Sequence, residues 1–213
     1  MIGFELSIEI ADKKGVFIQV GHVERFNPAI IGLSEIIKDP KFIEVHRLAP
    51  YNPRGCDVSV VLDLMIHDLD IVLHLVNRPI ERLDAVGVDV ITPTEDIANV
   101  RVTFEGGCVA NLTASRISLK EMRKIRLFQP YTYISLDYKA QEGVVYSKDG
   151  DKIKRQTLDL TKGEPLKLEI KSFINSIKTN TQPKVCGKDG RKALAAATEI
   201  ARQIENKKKV LSN

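Results

Sequence analysis

Asp63, His67, Asp70 and His74 have the types and spacing for acid–base chemistry. At about 100° per residue on an α-helix, all four share a wedge of roughly 60°. The segment that carries them, VSVVLDLMIHDLDIVLHLV, is the most apolar of the chain, and only Asp68 interrupts the apolar surface outside the stripe. A helix apolar nearly all round is expected to be buried nearly all round. Its polar stripe must then face a polar cavity or a fully paired network. Desolvated carboxylates beside an imidazole move its pKa toward the range useful for proton transfer, which makes His67 a candidate general base. The same stripe also reads as a satisfied network with a packing role, or as a metal site of two His and two Asp. No H-E-x-x-H pattern or third supporting element backs the metal, and none is expected.

Turn and cap signals define the elements that must position the stripe. Ser7–Lys14 reads as the end of a helix with Gly15 just beyond it. Val16–Val20 (VFIQV) then reads as a short buried strand closed by Gly21. Helix followed by apolar strand is half of a βαβ unit and needs a parallel neighbour strand. Residues 1–22 are therefore read as a helix–strand remnant of a larger α/β domain, and residues 23–213 as a second domain. Asn27–Lys38 predicts a helix with Pro28 after an Asn cap. Phe42–Ala49 alternates as a strand, with His46 read as structural, and Tyr51–Cys56 is a turn. Asp57 or Ser59 is placed to cap the long apolar helix, which runs to about Asn77.

From Ile80 the pattern changes. Ile80–Val90, Ala98–Phe104, Val109–Ala114, Lys124–Phe128, Tyr133–Asp137, Gly143–Tyr146 and Ile153–Leu158 read as successive strands, joined by turn signals such as EGG and KDGD. Short connections imply antiparallel pairing. Two helices follow, Pro165–Thr179 and an Ala-rich one over 189–206 capped by Asp189 and packing back toward residues 1–22. The expected class is α+β: one large, mostly antiparallel open sheet with helices on one face.

Composition narrows the function classes. With 213 residues and 43% hydrophobic content, the chain can bury a sizeable core. The net charge of +4 is spread out apart from Lys207–Lys209, and aromatic residues are only 6% with no Trp, which argues against nucleic-acid binding. Cys56, Cys108 and Cys186 are odd in number and in no C-x-x-C arrangement, which fits a reducing compartment. No signal peptide opens the chain and no run reaches the ~18 apolar residues of a membrane span. A cytoplasmic protein without membrane contact is expected.

His22, Glu24, Arg25 and Asn27 lie just past the strand VFIQV, where α/β folds place ligand contacts. Arg25 is the candidate there for substrate or cofactor, while Asn27 reads first as a helix cap. Arg54, in the turn before the striped helix, and Arg116, after the strand VANLTAS, could each grip a diphosphate or carboxylate bidentately. Each is as readily a solvated loop arginine.

Two motifs on separate elements, VGHVERFNPA (20–29) and DLMIHDLD (63–70), together resemble the glucose–fructose oxidoreductase/inositol dehydrogenase (Gfo/Idh/MocA) family of NAD(P)-dependent sugar dehydrogenases. The family pattern D-x-G-x-H-x-x-D maps onto Asp63, Met65, His67 and Asp70, with Met65 in place of glycine narrowing the space beside the helix. GKDGRKAL (187–194) resembles the family's closing segment, and the wording is nearest the branch acting on nucleotide-diphosphate amino sugars. The resemblance implies that His67 takes the proton of a sugar hydroxyl while hydride passes to NAD or NADP, with Asp63 orienting the histidine. Arg25, Arg54, Asp70 and Arg116 are the candidate substrate contacts and His22 a candidate cofactor contact, while the resemblance implies a homodimer or homotetramer through the open sheet face. The family's E-K-P lysine and Gly-rich phosphate loop have no counterpart, for the chain contains no G-x-G-x-x-G. The expectation is thus the substrate-binding and oligomerisation domain of a sugar or nucleotide-sugar dehydrogenase, with NAD(P) not held by this chain alone. The alternative is a non-catalytic sugar-binding or dimerisation module.

Overall fold

Strand β1 (Phe42–Leu48) alternates strictly, turning Ile43, Val45 and Arg47 inward and Phe42, Glu44, His46 and Leu48 outward. This is the period of two that a half-covered sheet demands. The computed structural model describes residues 2–53 and 57–211. In it β1 sits in an eight-stranded sheet with β2 (Ile80–Val88), β3 (Ile97–Phe104), β4 (Val109–Ser115), β5 (Met122–Gln129), β6 (Thr132–Asp137), β7 (Glu142–Asp149) and β8 (Lys152–Thr157). The order is β2-β3-β4-β1-β5-β6-β7-β8. Only β1 and β4 pair in parallel, Phe42 opposite Val109; all other pairs are antiparallel. All seven strands expected after Ile80 are present, and the α+β class stands. The hairpin turns use left-handed glycines where the chain reverses, Gly106 and Gly107 at φ 82° and 85° and Gly150 at φ 59°.

One face of the sheet is covered by helix α3 (Ile66–Val76) and by α5 (Gly187–Leu211). Val100, Leu112 and Ile125 meet Met65, Leu69, Val72 and Ile200 in one continuous core. Asn77, left-handed at φ 48°, ends α3 where the sequence places its end. The other sheet face is open. An aromatic row crosses it, Phe42, Phe128, Tyr133 and Tyr146, with successive ring centroids 5.7, 4.8 and 5.7 Å apart. Charged pairs lie to one side of the row, Glu44 with Arg126 at 3.0 Å and Lys124 with Asp137 at 3.9 Å.

The N-terminal stub departs from expectation. Helix α1 (Ile2–Lys14) forms and ends at Gly15, but VFIQV is not a strand of any sheet. It makes one antiparallel bridge, Gln19 to Cys186, and Val16 is 55% exposed. A buried parallel strand needs neighbours on both sides, and no described strand supplies one. The opening of α5 packs on this stub. A Cβ at Gly190 would come within 2.7 Å of Val20, and one at Gly187 within 2.8 Å of Ile8. Asp189 is the third residue of α5, not its N-cap. Its carboxylate reaches back to the amide of Cys186 at 3.0 Å, the return arm of a capping box.

Helix α2 (Pro28–Ile36) has the predicted Asn27 cap, whose side chain accepts from the Ala29 amide at 3.0 Å. Helix α4 (Pro165–Thr179) is amphipathic, but with its apolar stripe outward. Leu166, Ile170, Ile174 and Ile177 are exposed while Glu169 and Ser176 are buried.

Candidate active site

The striped helix does not run as one α-helix. Ser59 caps its start, its hydroxyl accepting from the Leu62 amide at 3.3 Å. Val61–Met65 then form a π turn, closed by the amide of Ile66 on the carbonyl of Val61. One extra residue in a turn rotates everything before it by about 100° relative to everything after. Asp63 therefore leaves the stripe and lies exposed, and among the described residues its carboxylate makes no hydrogen bond to His67. Its charge still acts on the imidazole through space, favouring protonation. His74 stays on the far end of the stripe but is exposed.

The rest of the stripe meets the loop after the stub. His22, 5% exposed, sets its ring edge-on to that of His67 with centroids 5.8 Å apart. Arg25, in the 3₁₀ turn Val23–Phe26, reaches Asp70 at 3.4 Å with both side chains buried. Polar atoms remain unsatisfied throughout this group: among the described residues, His22 Nδ1, Arg25 Nε, His67 Nδ1 and Asp70 Oδ2 are buried without a hydrogen-bond partner. Buried polar groups normally find partners, so such a concentration marks a place built to receive one. Burial lowers the pKa of His67, with Arg47 adding to the shift and Asp68, Glu24 and Asp63 opposing it. Burial, then His67 and Arg25, lowers His22 to about 4. Burial raises Asp70 to about 7 even though Arg25 pulls the other way. Both histidines are neutral near pH 7, and Asp70 is poised between its two forms.

Behind His67, on the sheet side of α3, lies a network that sequence reasoning missed. Arg47 donates to both oxygens of Asp68, Nε to Oδ2 at 2.9 Å and a terminal nitrogen to Oδ1 at 3.0 Å. The Tyr138 hydroxyl donates to Asp68 Oδ1 at 2.7 Å. Glu24 accepts from Arg47 at 3.4 Å, from Arg123 at 3.0 Å and from Asn27 at 3.0 Å. Asn27 also donates to the Tyr138 carbonyl at 2.7 Å. Two signals could have found it. Arg47 occupies the inward register of a strand whose other inward residues are Ile43 and Val45, and Asp68 is the one break in an apolar helix surface. Opposite charges forced onto buried faces imply each other.

The structure thus gathers His22, Arg25, His67 and Asp70, and leaves Asp63 at the margin. Arg116 is buried and donates to the Val58 carbonyl at 2.6 Å, bracing the chain that leads into the π turn. Arg54 lies outside the described residues, as does Cys56. No group of three or more His, Cys, Asp or Glu able to hold a metal occurs among the described residues. The glycines that open α5 face Ile8 and Val20, 2.8 and 2.7 Å from the Cβ each would carry, and the chain has no G-x-G-x-x-G turn of the kind that cradles a pyrophosphate. No helix among the described residues is long and apolar enough to cross a membrane.

Residues 46–129 match the model of the GFO/IDH/MocA C-terminal domain, and the chain belongs to that family. UDP-N-acetylglucosamine 3-dehydrogenase of Acidithiobacillus ferrooxidans is 34% identical over 206 residues, covering 93% of this chain and 66% of the relative. Its solved structure superposes with a TM-score of 0.90 over 95% of this chain. Myo-inositol 2-dehydrogenase of Thermotoga maritima is 25% identical over 224 residues, covering 95% of this chain and 66% of the relative. The chain thus spans just under two thirds of the length of these relatives, and its match lies in their C-terminal part.

Proposed function

We propose that this chain is the substrate-binding part of an NAD(P)-dependent sugar dehydrogenase, with a nucleotide sugar as substrate and His67 as the general base. The observation that supports it is the set of unpartnered buried atoms on His22, Arg25, His67 and Asp70. A polyhydroxylated ring offers both donors and acceptors to such a set. Oxidising a hydroxyl-bearing carbon needs a proton acceptor and a hydride acceptor. His67 answers the first: uncharged near neutral pH, it takes the hydroxyl proton. Asp70, close to its own midpoint, accepts from or donates to a neighbouring hydroxyl, with Arg25 holding its carboxylate in place. Asp63 favours the imidazolium by charge alone. The hydride acceptor belongs to a cofactor these residues do not cradle, so the chain's own share is to bind, orient and deprotonate.

The open sheet face supports a homo-oligomer. Its stacked aromatic row, with charged pairs to one side, offers the apolar surface and polar edge of an interface. A homodimer or homotetramer through this face should appear by light scattering at micromolar concentration, and Phe128→Glu should dissociate it.

Calorimetry with UDP-N-acetylglucosamine tests the substrate reading. Weak binding that Asp70→Ala abolishes is expected; no heat at millimolar sugar nucleotide would remove the reading. A non-catalytic sugar-binding module would pass that test too. Joining the chain to the N-terminal third of the A. ferrooxidans relative separates the two, since the module would bind sugar there without reducing NAD(P).

A further inference from the structure

Burying ion pairs is a poor way to stabilise a fold. Apolar replacements of similar volume are often neutral or better, because desolvating the charges offsets most of their attraction. Yet Glu24, Arg47 and Asp68 are each about 95% buried or more, with Tyr138 at 1% exposure beside them. Their positions suggest what they are for. Asp68 follows His67 in the helix, so neither can move without the other. Arg47 grips Asp68 by two parallel hydrogen bonds, a geometry that resists rotation of the helix about its axis. Glu24 and Asn27 flank Arg25 in the loop that also carries His22, and both are tied into the same network.

We propose that Arg47, Asp68 and Glu24 are positioning residues for His67, locking its turn of α3 to the 22–27 loop and setting the charge its imidazole experiences. The inference rests on the reading of His67 as a proton acceptor, but its geometry and its test do not need the sugar. The charged and titratable groups around His67 come from three elements: Arg47 on β1, Asp63 and Asp68 on its own helix, and Glu24 and His22 on the loop. Arg47 opposes protonation, whereas Asp68, Glu24 and Asp63 favour it. Burial keeps the imidazole neutral, Arg47 adds to that, and the two carboxylates that hold Arg47 temper it while leaving none of the three charges unpaired.

The sign of the response separates this role from a structural one. If the network only supports the fold, any damage to it lets water reach His67 and moves its titration midpoint up toward the ordinary 6.5. If it sets the local charge, Asp68→Asn removes a negative charge and must move the midpoint further down. Arg47→Gln must move it up. Carbon-detected NMR titration of the His67 ring in the 213-residue chain, assigned with His67→Gln, reads both. We expect shifts of about one unit in opposite directions. Glu24→Gln, on a different element, repeats the downward test should Asp68→Asn fail to fold. Midpoints that rise or stay in the carboxylate variants that fold overturn the proposal. Loss of sugar-nucleotide binding with these shifts intact would instead count against the dehydrogenase reading alone.

Discussion

The two sides of α3 carry the same kinds of residue and treat them oppositely. Toward the sheet, the carboxylate of Asp68 meets three donor groups at 2.7–3.0 Å, and the network closes on itself through Arg47, Tyr138 and Glu24. Toward the 22–27 loop, His67 and Asp70 each leave a buried polar atom without a partner, as do His22 and Arg25 facing them. Burial alone therefore does not distinguish scaffold from site; satisfaction does. A closed network has nothing to offer a ligand. An open one has already met part of the desolvation cost that binding would otherwise incur.

The contrast can be broken most directly at Arg47. Arg47→Ala leaves the buried Asp68 carboxylate without its cation and should lower unfolding free energy by about 3–5 kcal/mol in urea titrations. A loss under about 1 kcal/mol would mean that water already reaches the network. His67→Ala should behave the other way round, with little effect on the urea midpoint. In the chain joined to a nucleotide-binding part, it should lower kcat by ~10²-fold, about 2.7 kcal/mol of barrier. Full turnover in that variant would take the base role from histidine.

pH sharpens the same contrast on the open side. Asp70 is raised from 3.8 to about 7, so the folded state holds a proton that the unfolded chain releases, and this contribution falls as pH rises across that window. His22 is lowered from 6.5 to about 4, so the unfolded chain takes up the proton first and stability falls as pH drops through that range. The two slopes oppose each other. Asp70→Asn removes the first and should leave a steeper loss of stability on acidification between about pH 6.5 and 4, read from urea midpoints. An unchanged slope would place the proton elsewhere. The smallest effect expected is Ser59→Ala, about 0.5–1 kcal/mol for a lost helix cap, with no change in the His67 titration.

Strand alternation made the sheet legible, because each strand has one covered face and the turns between them carry their own glycine and aspartate signals. It did not show that β1 inserts between β4 and β5, since parallel pairing leaves no local mark on a strand of this length. His67, Asp70, Arg25 and His22 were readable as residues, and their convergence confirms the stripe from His67 onward as geometry. Asp63 was misplaced because a helical wheel assumes one residue spacing throughout, and nothing in VLDLM announces a π turn. Arg47 and Asp68 were passed over separately because each looks anomalous alone; only their pairing across the core explains either.

The outward apolar stripe of α4 has a practical consequence for anyone handling this chain. Four aliphatic side chains, each about half or more exposed, form a ready landing strip for hydrophobic dyes and resins. Native protein should therefore bind anilinonaphthalene sulfonate while its near-ultraviolet dichroism and cooperative unfolding remain intact. Such fluorescence, ordinarily taken as the mark of a loosened core, would here report a well-packed molecule with one bare helix.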